Sequence, residues 1–83
     1  MTSPVNYGTI LRMRTITVHL MDGETRDLTV PTSTRHIIFT RTRVGRGFVP
    51  VTGKTLIPKL TKLAAQGCQP VAYPIVHGKV QEN

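Results

Sequence analysis

One cysteine, no tryptophan, two phenylalanines, two tyrosines and four acidic side chains are all that this 83-residue chain has of those groups. Each scarcity excludes something. With Cys68 alone, no intramolecular disulfide can form and a four-cysteine zinc site is ruled out, so nothing asks for an oxidising compartment. No stretch approaches the roughly 18 uncharged apolar residues of a membrane span. The first residues also lack the basic-then-apolar layout of a secretory signal, so a cytoplasmic protein is expected. His19, His36 and His77 lie far apart with no paired ligand spacing, and neither a metal nor another cofactor is expected.

The acids are scarce where it matters. Asp22, Glu24 and Asp27 sit within six residues and Glu82 is in the tail, while residues 28–81 contain no acidic side chain. Eight cations occupy that stretch: Arg35, Arg41, Arg43, Arg46, Lys54, Lys59, Lys62 and Lys79. The chain carries eleven Lys and Arg in all, a formal charge of +7. Most of these cations have no acid nearby in sequence. Like charges kept together repel and lower stability, so a fold that retains them is expected to meet nucleic acid or an acidic protein surface.

What remains reads as one small folded domain. Apolar residues make up 39% of the chain and are spread along it, which supports a single core over residues 9–77 with flexible ends at 1–8 and 78–83. In residues 9–21, Ile16, Val18 and Leu20 alternate with Thr15, Thr17 and His19, the period of a strand. Leu28 and Val30 resume it after Asp22-Gly23. Keeping one apolar face requires an even sum of partner numbers, which a two-residue Asp-Gly turn does not give. A longer loop at 22–24 or 22–26 is therefore expected, with Val18 opposite Leu28 or Val30, and in one of these registers Asp27 lies across from His19. Leu11 and Met13 fall out of phase with Ile16, which predicts a bulge near Arg14 and Thr15 and leaves Arg12 and Arg14 exposed together.

Residues 36–44 form a second expected strand, with Gly45-Arg46-Gly47 as the turn into residues 48–51. Ile37, Phe39, Arg41 and Arg43 share one face of that strand, and Arg46 at the tip completes a cluster of three arginines. Thr55 then caps a helix over 56–66, with Pro58 tolerated in its first turn and Gly67 ending it. Leu56, Ile57, Leu60, Leu63 and Ala64 make its apolar stripe, and Lys59 and Lys62 lie opposite. Cys68 is placed to pack on Leu63. Val71, Tyr73 and Ile75 alternate into a last strand, in which Pro74 argues for a sheet edge. The expected class is α+β: a small antiparallel sheet of four to five strands with one helix of the C-terminal half packed on it, in the order β-β-β-β-α-β. Several small α+β and partly open barrel layouts share that order, the oligonucleotide-binding barrel among them, and order alone selects none.

Catalytic constellations are weak. Gly53-Lys54-Thr55 looks like the end of a phosphate-binding loop, but five residues separate Gly47 from Gly53 where a Walker loop has four. Free amides at the helix start beside Lys54 would still welcome a phosphate or carboxylate. Asp22, Glu24 and Asp27 surround a turn, and neither Ser3 nor Ser33 has a nucleophile-elbow context. The expected role is thus non-enzymatic: sequence-independent nucleic-acid binding through Arg41, Arg43 and Arg46, with Arg12, Arg14, Arg35, Lys54, Lys59 and Lys62 extending the basic surface. Phe39 and Phe48 stand beside these arginines as either stacking platforms or core. The other reading is a small regulator or inhibitor that docks its basic face on an acidic surface of a larger enzyme or assembly.

Overall fold

A computed structural model describes residues 12–83. Six strands and one helix follow in the order β1 (Met13–His19), β2 (Thr25–Pro31), β3 (His36–Thr42), β4 (Gly45–Val51), α1 (Leu56–Ala65), β5 (Val71–Pro74) and β6 (Lys79–Gln81). This is the expected α+β class, with the helix after four strands. The strands make two three-stranded sheets, β2-β1-β6 and β4-β3-β5, rather than one. Ile16, Val18, Leu20 and Val30 of the first sheet meet Ile37 and Phe39 of the second, with Val80 of β6 among them. One apolar layer between two sheets is the core.

The β1–β2 hairpin keeps the even sum that its apolar pattern demands. Ile16 pairs with Leu28 and Arg14 with Val30, but Val18 faces Arg26, so neither expected register is adopted. The loop is residues 21–23. Leu20 N–H donates to Glu24 C=O (2.8 Å) and Gly23 takes φ +92°, so three residues close the turn with glycine in the left-handed position. This register puts Thr17, not His19, opposite Asp27, and the Thr17 hydroxyl donates to that carboxylate at 3.2 Å. Arg26, on the same strand face as Val18, stays exposed beside the core, with its guanidinium over the Phe48 ring, 5.8 Å from the centroid.

No bulge interrupts β1, whose register runs unbroken from Met13 to His19. Arg14 therefore points with Ile16 toward the core side and is half-buried, donating to the Thr34 carbonyl at 3.1 Å, while Arg12 is exposed. Leu11, the other residue of that expected phase change, lies outside the described residues, as do 1–8. At the other end, the segment expected to be loose contains a strand. Residues 76–79 turn tightly, with Val76 and Lys79 exchanging backbone hydrogen bonds and His77 and Gly78 both at positive φ. Lys79–Gln81 then pairs parallel to β1 and buries Val80 completely (0% exposed).

In the second sheet β3 is central, with β4 and β5 antiparallel on either side. β5 is the expected edge, and Pro74 lies within it. The β3–β4 turn falls at Arg43 and Val44, not at Gly45-Arg46-Gly47, whose residues belong to β4. Thr42 explains the shift: its hydroxyl accepts from Val44 N–H and donates to Gly45 C=O, both at 3.3 Å, closing a two-residue loop. Ile38, buried on the face of β3 opposite Ile37, lies on the side that α1 covers.

The helix covers that face thinly. Leu56, Leu60 and Leu63 are half-buried, Ile57 is 65% exposed, and no helical residue is fully buried. Ala64 is exposed as well, so the expected five-residue stripe contributes three side chains, and Lys59 is half-buried rather than on the open face. Thr55 stands at the N-cap position without a side-chain cap bond; it trades hydrogen bonds with Thr52 instead. The C-terminus closes as expected at Gly67 (φ +77°), with Gly67 N–H on Ala64 C=O (3.0 Å) and Cys68 N–H on Leu63 C=O (3.1 Å).

Candidate functional site

Sorting the charged side chains by sheet divides them cleanly. The first sheet and its connections hold Arg12, Arg14, Arg26 and Lys79 together with all four acids: Asp22 and Glu24 in the β1–β2 loop, Asp27 on β2, and Glu82 directly after β6. Four against four leaves this half neutral. The second sheet and α1 hold the other seven cations, Arg35, Arg41, Arg43, Arg46, Lys54, Lys59 and Lys62, with no acid among them. The whole formal charge of +7 therefore belongs to one layer of the molecule.

Within that layer the cations run from end to end rather than meeting at one point. Arg35 leads into β3 and is tied to β4 and to the residue after β5, its N–H to Val51 C=O and its C=O to Ile75 N–H. Lys54 precedes the helix, Lys59 and Lys62 follow along it, and the β3–β4 tip holds Arg41, Arg43 and Arg46. The helix finishes beside that tip, since Arg41 N–H donates to Cys68 C=O at 2.8 Å. A ten-residue helix is about 15 Å long, so the lysines bridge the two arginine-bearing ends.

The expected site residues are thus partly united. Arg12 and Arg14 are on the other sheet, and Arg14 spends its guanidinium on Thr34. Arg41 and Arg46 are directly opposed in the β3–β4 register and share the core-facing side with Phe39, whereas Arg43 is in the turn. The Arg46 guanidinium lies 5.9 Å from the Phe39 centroid and forms an ion pair with Glu82. Arg46 is therefore not an unpaired cation, a partnership hidden by a sequence separation of 36 positions. Hydrogen bonding from Arg46, helped by the Met21 backbone amide, holds the Glu82 carboxyl below the usual carboxylate range, and the same hydrogen bond raises Arg46.

Phe39 is 5% exposed and stacks edge-on with Phe48 (5.0 Å) and Tyr73 (4.8 Å), so it is core rather than a platform. Phe48 is half-buried, under Arg26. The helix start offers less than expected, because the Thr55 amide is engaged by the Thr52 hydroxyl at 3.3 Å. Cys68 is half-buried. Among the described residues no three His, Cys, Asp or Glu side chains are grouped to hold a metal ion, and no helix is long and apolar enough to cross a membrane.

No protein-family model, curated protein or solved structure matches the chain. Its chemistry has to be read from its own residues. Sequence inspection missed two of those that matter: Arg26, considered only as a possible end of the β1–β2 loop, and Glu82, assigned to a loose tail. Val80, an apolar residue flanked by Lys79 and Gln81, was the available signal that a strand continues there.

Proposed function

We propose that this chain is a non-enzymatic binding module that meets nucleic-acid phosphates with the layer formed by β3, β4, β5 and α1, acting in the cytoplasm. The confinement of all the net charge to that layer carries the reading. Phosphate contacts need lysines and arginines on one side and a partner surface that does not repel them, and they give affinity without sequence readout. Most of the neutral first sheet would then be turned away, with only its Glu82 end next to the β3–β4 tip. Among the described residues Phe39 is buried and Phe48 and Tyr73 are half-buried, which fits backbone contact rather than base recognition.

The test is ionic strength. Binding to a single-stranded oligonucleotide should weaken linearly on a log–log salt plot, and Arg43, Lys59 and Lys62 changed together to alanine should flatten the slope by about 2. Lys79→Ala, on the outer face of the neutral sheet, should leave it unchanged. Equal losses from Lys79→Ala and Lys62→Ala would sink the layered interface. A second reading, docking on an acidic protein surface, draws on Ile57 and on Val71, which is 50% exposed, because phosphates have no use for apolar area. A stoichiometric protein partner that survives nuclease treatment would favour it.

A further inference from the structure

Arg41 and Arg46 stand directly across from each other on neighbouring strands, an arrangement that is unfavourable unless a counter-charge lies near. Glu82 supplies it. One carboxylate oxygen takes the Arg46 guanidinium and the other accepts from the Met21 backbone N–H at 2.9 Å. Glu82 is brought there by β6: Val80 is buried in the core and Glu82 N–H donates to His19 C=O at 2.9 Å. Beside this contact opens a cleft of about 220 Å³ whose wall includes Phe39, Arg41, Arg46, Gln69, Tyr73 and Glu82.

The donors that Glu82 uses, a guanidinium and a backbone amide, are those that proteins offer to phosphate oxygens. A carboxylate has only two oxygens, and Glu82 pairs with Arg46 while Arg41 has no ion-pair partner among the described residues. A phosphate brings more acceptor oxygens and a charge that both arginines can share. We propose that this cleft is a phosphate-binding site for a nucleic-acid backbone, and that Glu82 occupies its anion position in the free protein until the incoming phosphate displaces it. This rests on the nucleic-acid reading above and adds a competitor within the chain. Binding is then tempered by an intramolecular mimic, which raises the threshold for weak anions.

The experiment uses the full chain and a fluorescent single-stranded oligonucleotide, read by anisotropy across a salt series. Glu82→Gln should bind about threefold more tightly than the parent, the size expected for removing a partly exposed ion pair that competes with the ligand, with a slope steeper by about 0.7. In the Glu82→Gln background, Arg41→Ala should remove that gain. A readout without substitution guards against a misfolded variant: the Met21 amide resonance of the parent should move on adding oligonucleotide, because its acceptor leaves. Unchanged affinity in Glu82→Gln, or a stationary Met21 amide at saturation, would overturn the site. If the Lys59 and Lys62 variants still lose affinity in that case, the layered interface stands and only the cleft fails. If the parent shows no salt-dependent binding at all, both fall together.

Discussion

Val80 shows how much one residue near the chain end can hold. It is an apolar side chain between two polar neighbours, fully buried, and it fastens β6 against β1 as well as filling the core. Truncating it removes two methyl groups and leaves a cavity bounded by both sheets. Val80→Ala should cost about 2 kcal/mol, measured as a lower urea midpoint at unchanged m-value. A loss within a few tenths of a kcal/mol would mean that β6 is not part of the cooperative unit. Arg14 and Arg26 teach the complementary lesson. Both share a strand face with core residues; Arg14 is half-buried and donates to a carbonyl, while Arg26 stays exposed with an aromatic face beneath it. Sequence periodicity treats such residues as breaks in the pattern, because the acceptor comes from a distant segment.

At the level of elements, local chemistry was read well where it is self-contained. The helix ending at Gly67 depends on residues within one turn of each other, so its glycine, its left-handed conformation and its two closing hydrogen bonds follow from the sequence. Gly67→Ala forces a side chain into that conformation and should cost about 1 kcal/mol. Native-state hydrogen exchange should show the loss mainly as faster exchange at Gly67 and Cys68, since α1 buries no side chain fully and is expected to open below the global unfolding energy. Loss spread evenly over β1 and β3 would instead mean that helix and sheets open as one. The hairpin turns were less legible. Both shifted by one or two residues because side-chain hydrogen bonds of Thr42 and Asp22, acting with Gly23 at positive φ, decide where the chain reverses.

Across the whole molecule, the decisive contact is the ion pair between Glu82 and Arg46, the one place where an acid of the neutral half meets a cation of the charged half among the described residues. Its pH signature has a definite sign. Glu82 titrates below its ordinary value in the folded chain, so its contribution is fully present above the unfolded-state value of about 4.3 and drains as pH falls through the lower folded value. The raised Arg46 contributes over the whole range below its ordinary value and adds no dependence in acid. Unfolding midpoints of the parent should therefore fall faster below about pH 4.3 than those of Glu82→Gln, and the two should run parallel at neutral pH. Parallel curves throughout the acid range would show that the pair does not contribute in solution.

The sequence by itself determined the α+β class, the β-β-β-β-α order, the edge position of β5, the helix ending and the surplus of positive charge. All of these depend on neighbours within a few residues or on simple counting. Only the tertiary structure decided that the strands form two sheets, that the chain end is a core strand, and that the surplus belongs to one layer while the other is neutral. Those facts depend on which distant segments lie side by side. Pairing of β6 with β1 and the meeting of Glu82 with Arg46 are set by packing around Val80, and no local pattern encodes which strand it will join.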